Sequence, residues 1–79
     1  MKMSREIAYR AAFGARLQVL RKKTGLTQAE FAAKVGLVQP SIVRYEAGKQ
    51  LPNAFIIMKI AQEYKCDLGW LIFGDETKT

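Results

Sequence analysis

Side-chain catalysis needs a nucleophile and a base within reach of one another, and this chain offers no such pair. It contains no histidine and one cysteine, Cys66. A Ser-His or Cys-His arrangement is therefore impossible, and the usual zinc-binding sets are excluded. The carboxylates Glu6, Glu30, Glu46, Glu63, Asp67, Asp75 and Glu76 show no paired spacing suited to general acid–base work. The sequence predicts no enzyme, with no catalytic residue, metal or cofactor. What remains with chemistry to offer are amides and guanidinium groups. Gln39, Val43 and Arg44 project from one side of a short helical segment whose other side carries Ile42, Tyr45 and Glu46. With 13 basic residues against 7 acidic ones the formal charge is +6. Such a balance favours an anionic partner, either nucleic acid or a membrane surface.

The elements that must position these groups fit within 79 residues, so one domain is the natural count. A chain this short buries only about 60% of its unfolded surface, and help from a partner subunit would be unsurprising. Hydrophobic residues make up 49% of it, too many for a disordered tail. No stretch approaches the roughly 18 apolar residues that cross a bilayer. The charged N-terminus MKMSREIAYRAAF does not read as a signal peptide. A lone cysteine cannot close an internal disulfide, which points to the cytoplasm. Lying in an apolar stretch, Cys66 reads as a small core residue.

Five helices can be read. The first runs from about Arg5 to Lys23, with Ser4 as N-cap and Gly25 as its stop. Gly14 weakens it by about 1 kcal/mol relative to alanine. The helix can split there, so residues 1–12 are either an arm or a helix extension. In the second helix, Thr27-Gln28-Ala29-Glu30 spells a capping box. Phe31, Ala32 and Val35 form its inner face, and Gly36 ends it. A third helix covers about Gln39 to Ala47, with Pro40 fitting only a first turn. Asn53 caps a fourth, Ala54 to Tyr64, and Asp67 a fifth, Leu68 to Phe73. Residues 13–74 form the domain, and residues 75–79 a polar tail. The fold class is all-α.

Helices two and three, joined by a short Gly-containing turn, make a helix-turn-helix. In that motif the second helix stands clear of the body and enters a groove about 12 Å wide. The segment LTQAEFAAKVGLVQPSIVRYEAGKQLPN resembles the phage repressor and Cro family, the Xre-type helix-turn-helix. The residues that carry the likeness are Thr27, Gln28, Ala32, Gly36, Gln39, Ile42, Glu46, Gly48 and Pro52, extended by Ile57, Ile60, Ala61 and the ending Asp67 to Gly74. The resemblance covers about residues 13–74. It implies a compact five-helix lambda-repressor-like fold, sequence-specific binding of a partly palindromic duplex operator, and a homodimer. A small regulator of transcription, most often a repressor, follows from it.

By position, the resemblance places Gln39 and Arg44 at base edges. Glutamine pairs with adenine N6 and N7, and arginine with guanine O6 and N7. Thr27, Gln28, Ser41 and Lys49 fall at phosphate contacts, and Arg21 with Glu46 at an internal ion pair. Val38 stands where the family often has a capping Ser or Thr, and Val43 where it often has a polar residue. Val43 and Pro40 join the base-reading set, with apolar contacts to thymine methyls open to Val38 and Val43. Phe55 and Ile56 replace common polar residues, and with Trp70 and Phe73 they are candidates for a dimer interface. The alternative is a protein-interaction module of the same fold, antitoxin-like or co-regulatory. A membrane-surface peptide fails because the basic residues do not oppose a single apolar stripe. No small-molecule ligand is expected, and the end at Thr79 leaves no room for the effector domain of larger repressors.

Overall fold

A computed structural model describes residues 4–74. Five helices follow in order: α1 Arg5–Thr24, α2 Gln28–Lys34, α3 Gln39–Glu46, α4 Ala54–Glu63 and α5 Leu68–Phe73. Among the described residues none is a strand, and no helix is long and apolar enough to cross a membrane. The polar tail 75–79 lies outside the described residues.

Local chemistry sets the helix starts. Ser4 Oγ accepts the Ile7 amide at 3.1 Å, and Asn53 Oδ1 accepts that of Ile56 at 2.9 Å. At α2 the capping box closes both ways: the Glu30 amide donates to Thr27 Oγ1 at 3.1 Å, and the Thr27 amide to Glu30 Oε1 at 2.9 Å. Val38 precedes α3 without a side-chain cap. Gly36, at φ 73°, ends α2 in a Schellman motif: its amide reaches Ala33 O, and that of Leu37 reaches Ala32 O at 2.9 Å. That tight reversal launches α3 only a few residues later.

Inside lie Phe13, Leu17 and Leu20 of α1, Phe31 and Ala32 of α2, and Ile42 and Tyr45 of α3, with Ile60 of α4 and Leu71 of α5. Phe31 and Tyr64 stack with centroids 4.1 Å apart, and the Tyr64 hydroxyl donates to Phe31 O at 2.9 Å. The end of α5 is fastened to α1 by groups the sequence pattern does not reveal. Arg16 donates to the carbonyls of Leu71 and Ile72, both at 2.9 Å, and the Tyr9 hydroxyl also donates to Ile72 O. An arginine thus satisfies the last carbonyls of a helix from outside it.

Gly14 does not split the first helix. α1 runs straight through it, and residues 5–12 are its first turns. The glycine is there for contact. A Cβ at position 14 would collide with the carbonyl oxygen of Tyr45 and stand 2.7 Å from that of Glu46. The C-terminal turn of α3 is therefore seated directly on the backbone of α1. Propensity and packing make opposite forecasts for Gly14→Ala: a gain of about 1 kcal/mol from helix propensity, or a loss of about 2 kcal/mol or more from overpacking. We expect packing to win, because backbone carbonyls cannot step aside as flexible side chains do. Urea unfolding of the variant measures it, and a stability at or above that of the parent protein would contradict the close contact.

Candidate nucleic-acid interface

α3 is anchored by Ile42 and Tyr45, which are fully and almost fully buried. Its period of 3.6 residues then turns Gln39, Pro40, Val43 and Arg44 outward, and all four are exposed. Gln39 with Val43, and Pro40 with Arg44, form two adjacent i, i+4 rows, each spanning about 6 Å along the axis. Val38, also exposed, extends this face beyond the helix start.

Arg44 is held ready rather than loose. Its Nε donates to Gln50 Oε1 at 2.8 Å and its Nη2 lies 3.4 Å from Ser41 Oγ. Gln50 is a member of this face that sequence reasoning missed. It sits in the loop after α3, where no periodicity ties a residue to the helix before it. The loop departs through a second Schellman turn, with the Lys49 amide on Arg44 O at 3.0 Å. That turn fixes the start of Lys49, whose side chain is exposed.

The carboxylates of the neighbourhood are withdrawn from the face. Glu30 is spent in the α2 cap. Glu46, with 3% side-chain exposure, accepts a two-pronged guanidinium: Arg21 Nε on Oε2 at 2.7 Å and Nη2 on Oε1 at 3.1 Å. Gln28 Nε2 donates to the same Oε1 at 3.1 Å, and Arg21 Nη1 to Leu26 O at 3.1 Å. The Glu46 hydrogen bonds hold the Arg21 guanidinium above its ordinary pKa. Sequence placed Gln28 at a phosphate. In the structure one of its N–H groups is committed to Glu46, and the second is the only donor left to its side chain. Thr27 Oγ1 accepts a cap bond, which leaves its O–H to donate. Among the described residues, Arg44 and Lys49 form no ion pair.

Of the four apolar interface candidates, Ile56 and Trp70 pack against the core. Phe55 is 62% exposed and Phe73 81%. Lys59 Nζ lies 5.3 Å from the centroid of the Phe55 ring.

Two short helices in a tight reversal, with the second turned out and cleared of negative charge, define a helix-turn-helix of the phage-repressor type. A sequence profile of the helix-turn-helix family matches residues 17–71. An HTH-type transcriptional regulator of Archaeoglobus fulgidus is 40% identical over 62 residues, 77% of this chain and 89% of that protein. Two solved structures share the fold at similar levels. The P22 c2 repressor bound to a synthetic operator superposes with a TM-score of 0.75 and 27% identity, covering 80% of this chain and 96% of that one. The restriction-modification controller protein C.AhdI from Aeromonas hydrophila gives 0.79 and 28%, covering 86% and 99%. The chain belongs to the helix-turn-helix family, with a five-helix lambda-repressor-like fold.

Removing the acceptor at the hub strands a half-buried guanidinium. Glu46→Ala should cost about 3 kcal/mol, the order found when one partner of a buried pair is lost. Chemical denaturation reads this directly. A loss below about 1 kcal/mol, the size of an exposed pair, would mean that the network does not hold the helices.

Proposed function

We propose that this protein regulates transcription by occupying double-stranded DNA, with α3 lying in the major groove. The observation that carries the reading is the outer face of α3. Gln39 and Arg44, a bidentate amide and a bidentate guanidinium, stand exposed there, while Glu30 and Glu46 are bonded elsewhere. Gln39 and Arg44 read base edges, and Pro40 and Val43 supply apolar contact to thymine methyls. Lys49, Ser41, Thr27 and the second N–H of Gln28 take phosphates, which gives affinity without selection. The protein works by binding alone, in the cytoplasm with the DNA it occupies.

Two copies suit this task better than one. The exposed Phe55 and Phe73 are large apolar side chains that a partner subunit would cover, and such surface marks interfaces. A two-fold dimer sets its two α3 helices about 34 Å apart, in successive major grooves of a partly palindromic site. Selection of bound duplexes from a random pool tests all of this together. It should return two related half-sites at one helical turn. A pool with no enriched sequence would defeat the reading.

Single substitutions separate the roles. Arg44→Ala should relax selection at one base pair per half-site and cost about 1–3 kcal/mol on the best operator. An unaltered sequence preference would remove Arg44 from the base-reading set. Lys49→Ala should weaken all duplexes alike and lower the salt slope by about 1. The paired change Phe55→Ser with Phe73→Ser should shift sedimentation at tens of micromolar from dimer to monomer. A parent protein that sediments as a monomer, with DNA and without, would leave these side chains no such role.

A further inference from the structure

On the side of the molecule that uses no residue of α2 or α3, a cleft of about 530 Å³ opens between the last turn of α1 and the α4–α5 connection. Leu20, Tyr64 and Trp70 supply apolar lining, and the exposed Lys23 and Lys65 line it too, together with Cys66. The Tyr64 ring is fixed by its stack on Phe31 and by its hydroxyl bond. Two aromatic groups and an aliphatic one therefore form a surface that is largely set before anything enters.

Lys65 is the unusual member. It is the one non-glycine residue at positive φ among the described residues, at 51°. It occupies the left-handed position of a Schellman turn, its amide facing Gln62 O and the Cys66 amide on Ala61 O at 3.0 Å. Glycine or asparagine normally fills that position, and a residue with a long side chain costs about 1–2 kcal/mol more there. Strained backbone at a cleft rim is a pointer to function. Here it turns the chain so that Lys65 joins Lys23 in the lining. Neither lysine is in an ion pair among the described residues. Among the described residues Asp67 is the single carboxylate in the lining, and it already caps α5 by accepting the Gly69 amide at 3.2 Å. Burial and Asp67 push the Cys66 thiol up against the opposing charge of Lys23.

We propose that this cleft is a binding site for a small aromatic monocarboxylate, its ring against Tyr64 and Trp70 and its carboxylate between Lys23 and Lys65. Size selects a small molecule. The cleft falls within the range of about 300–1,000 Å³ typical of ligand sites, whereas a protein partner needs about 800 Å² of surface on each side. Charge selects a monoanion: among the described residues, two ammonium groups against one carboxylate leave a single net positive charge. The sequence predicts no small-molecule ligand because the lining residues come from two stretches of chain, 20–24 and 64–70, that only the fold brings together.

Trp70 is the sole tryptophan and lines the cleft, so its emission follows what enters there. The full chain, free of DNA, is titrated with 4-phenylbutyrate and with its neutral twin 4-phenylbutyramide. We expect a saturable change in Trp70 emission with the acid, and roughly tenfold weaker binding of the amide. The double variant Lys23→Gln with Lys65→Asn should also bind the acid roughly tenfold more weakly. Asparagine tolerates the left-handed conformation, so this variant loses the charge without added strain, and circular dichroism of unchanged helical content verifies that it folds. No saturable change with the acid, equal binding of acid and amide, or undiminished binding by the variant would each overturn the site. The absence of DNA keeps these outcomes separate from those of the operator selection.

Discussion

Everything that α3 presents outward depends on how its last turn is seated on α1. The eight residues of α3 are too few to be stable alone in water, and Val38 gives their start no cap. The seat supplies what the helix lacks. Gly14 brings two backbones together, and two turns further along α1 Arg21 grips Glu46. A contact of carbonyl oxygens against a bare Cα leaves little room to slide, and a two-pronged guanidinium leaves little room to rotate. Together they fix which face of α3 turns away from Ile42 and Tyr45. A buried ion pair roughly breaks even in energy against a hydrophobic one, so we read the value of Arg21 and Glu46 as geometric.

The same hub settles the electrostatics. Glu46 lies one residue beyond the anchoring Tyr45 and two beyond Arg44. Exposed, its charge would oppose a polyanion approaching the outer face. Burying it under Arg21 and Gln28 neutralises it and at the same time orients Gln28. Glu30 is treated alike, its carboxylate turned back to the Thr27 amide. Two of the acidic residues nearest the interface thus serve structure, and the cations left outward are Arg44 and Lys49. The overall charge of +6 therefore understates the local bias of this face.

What could be read from sequence follows a physical division. Caps and stops were legible because they join residues three or four apart: Ser4 to Ile7, Thr27 to Glu30, Asn53 to Ile56, and Gly25 closing α1 in the left-handed region. The outward face of α3 was legible because helical period and apolar anchors dictate it. The Arg21–Glu46 pair was reached only through resemblance, since no local rule links positions 25 apart. Gly14 misled for the opposite reason: propensity is a local quantity, and the residue answers to a contact with α3. Arg16 on the end of α5, Gln50 on Arg44 and Gln28 on Glu46 are long side chains meeting partners chosen by tertiary structure. Their residue types are those of any solvated surface, so the sequence carries no separate signal for them.

The last turn of α1 looks two ways. Arg21 reaches toward Glu46, while its neighbours Leu20 and Lys23 line the cleft beside Trp70. The cleft therefore shares one helical turn with the Arg21 grip on α3, and Tyr64 joins the cleft wall to Phe31 of α2. Proximity of this kind is not yet coupling. A ligand shifts an equilibrium only by the difference in its affinity for the two states, and coupling between sites is reciprocal in binding free energy. If α1 holds one position in both the free and the DNA-bound protein, a carboxylate in the cleft stabilises the fold and leaves operator affinity as it was. If DNA binding tightens the Arg21 grip by even a small turn of α1, the cleft changes shape, and ligand and operator must then alter one another's affinity by the same factor. The rigidity of the Gly14 seat favours the first outcome, because a contact with no slack transmits a displacement but resists having one imposed.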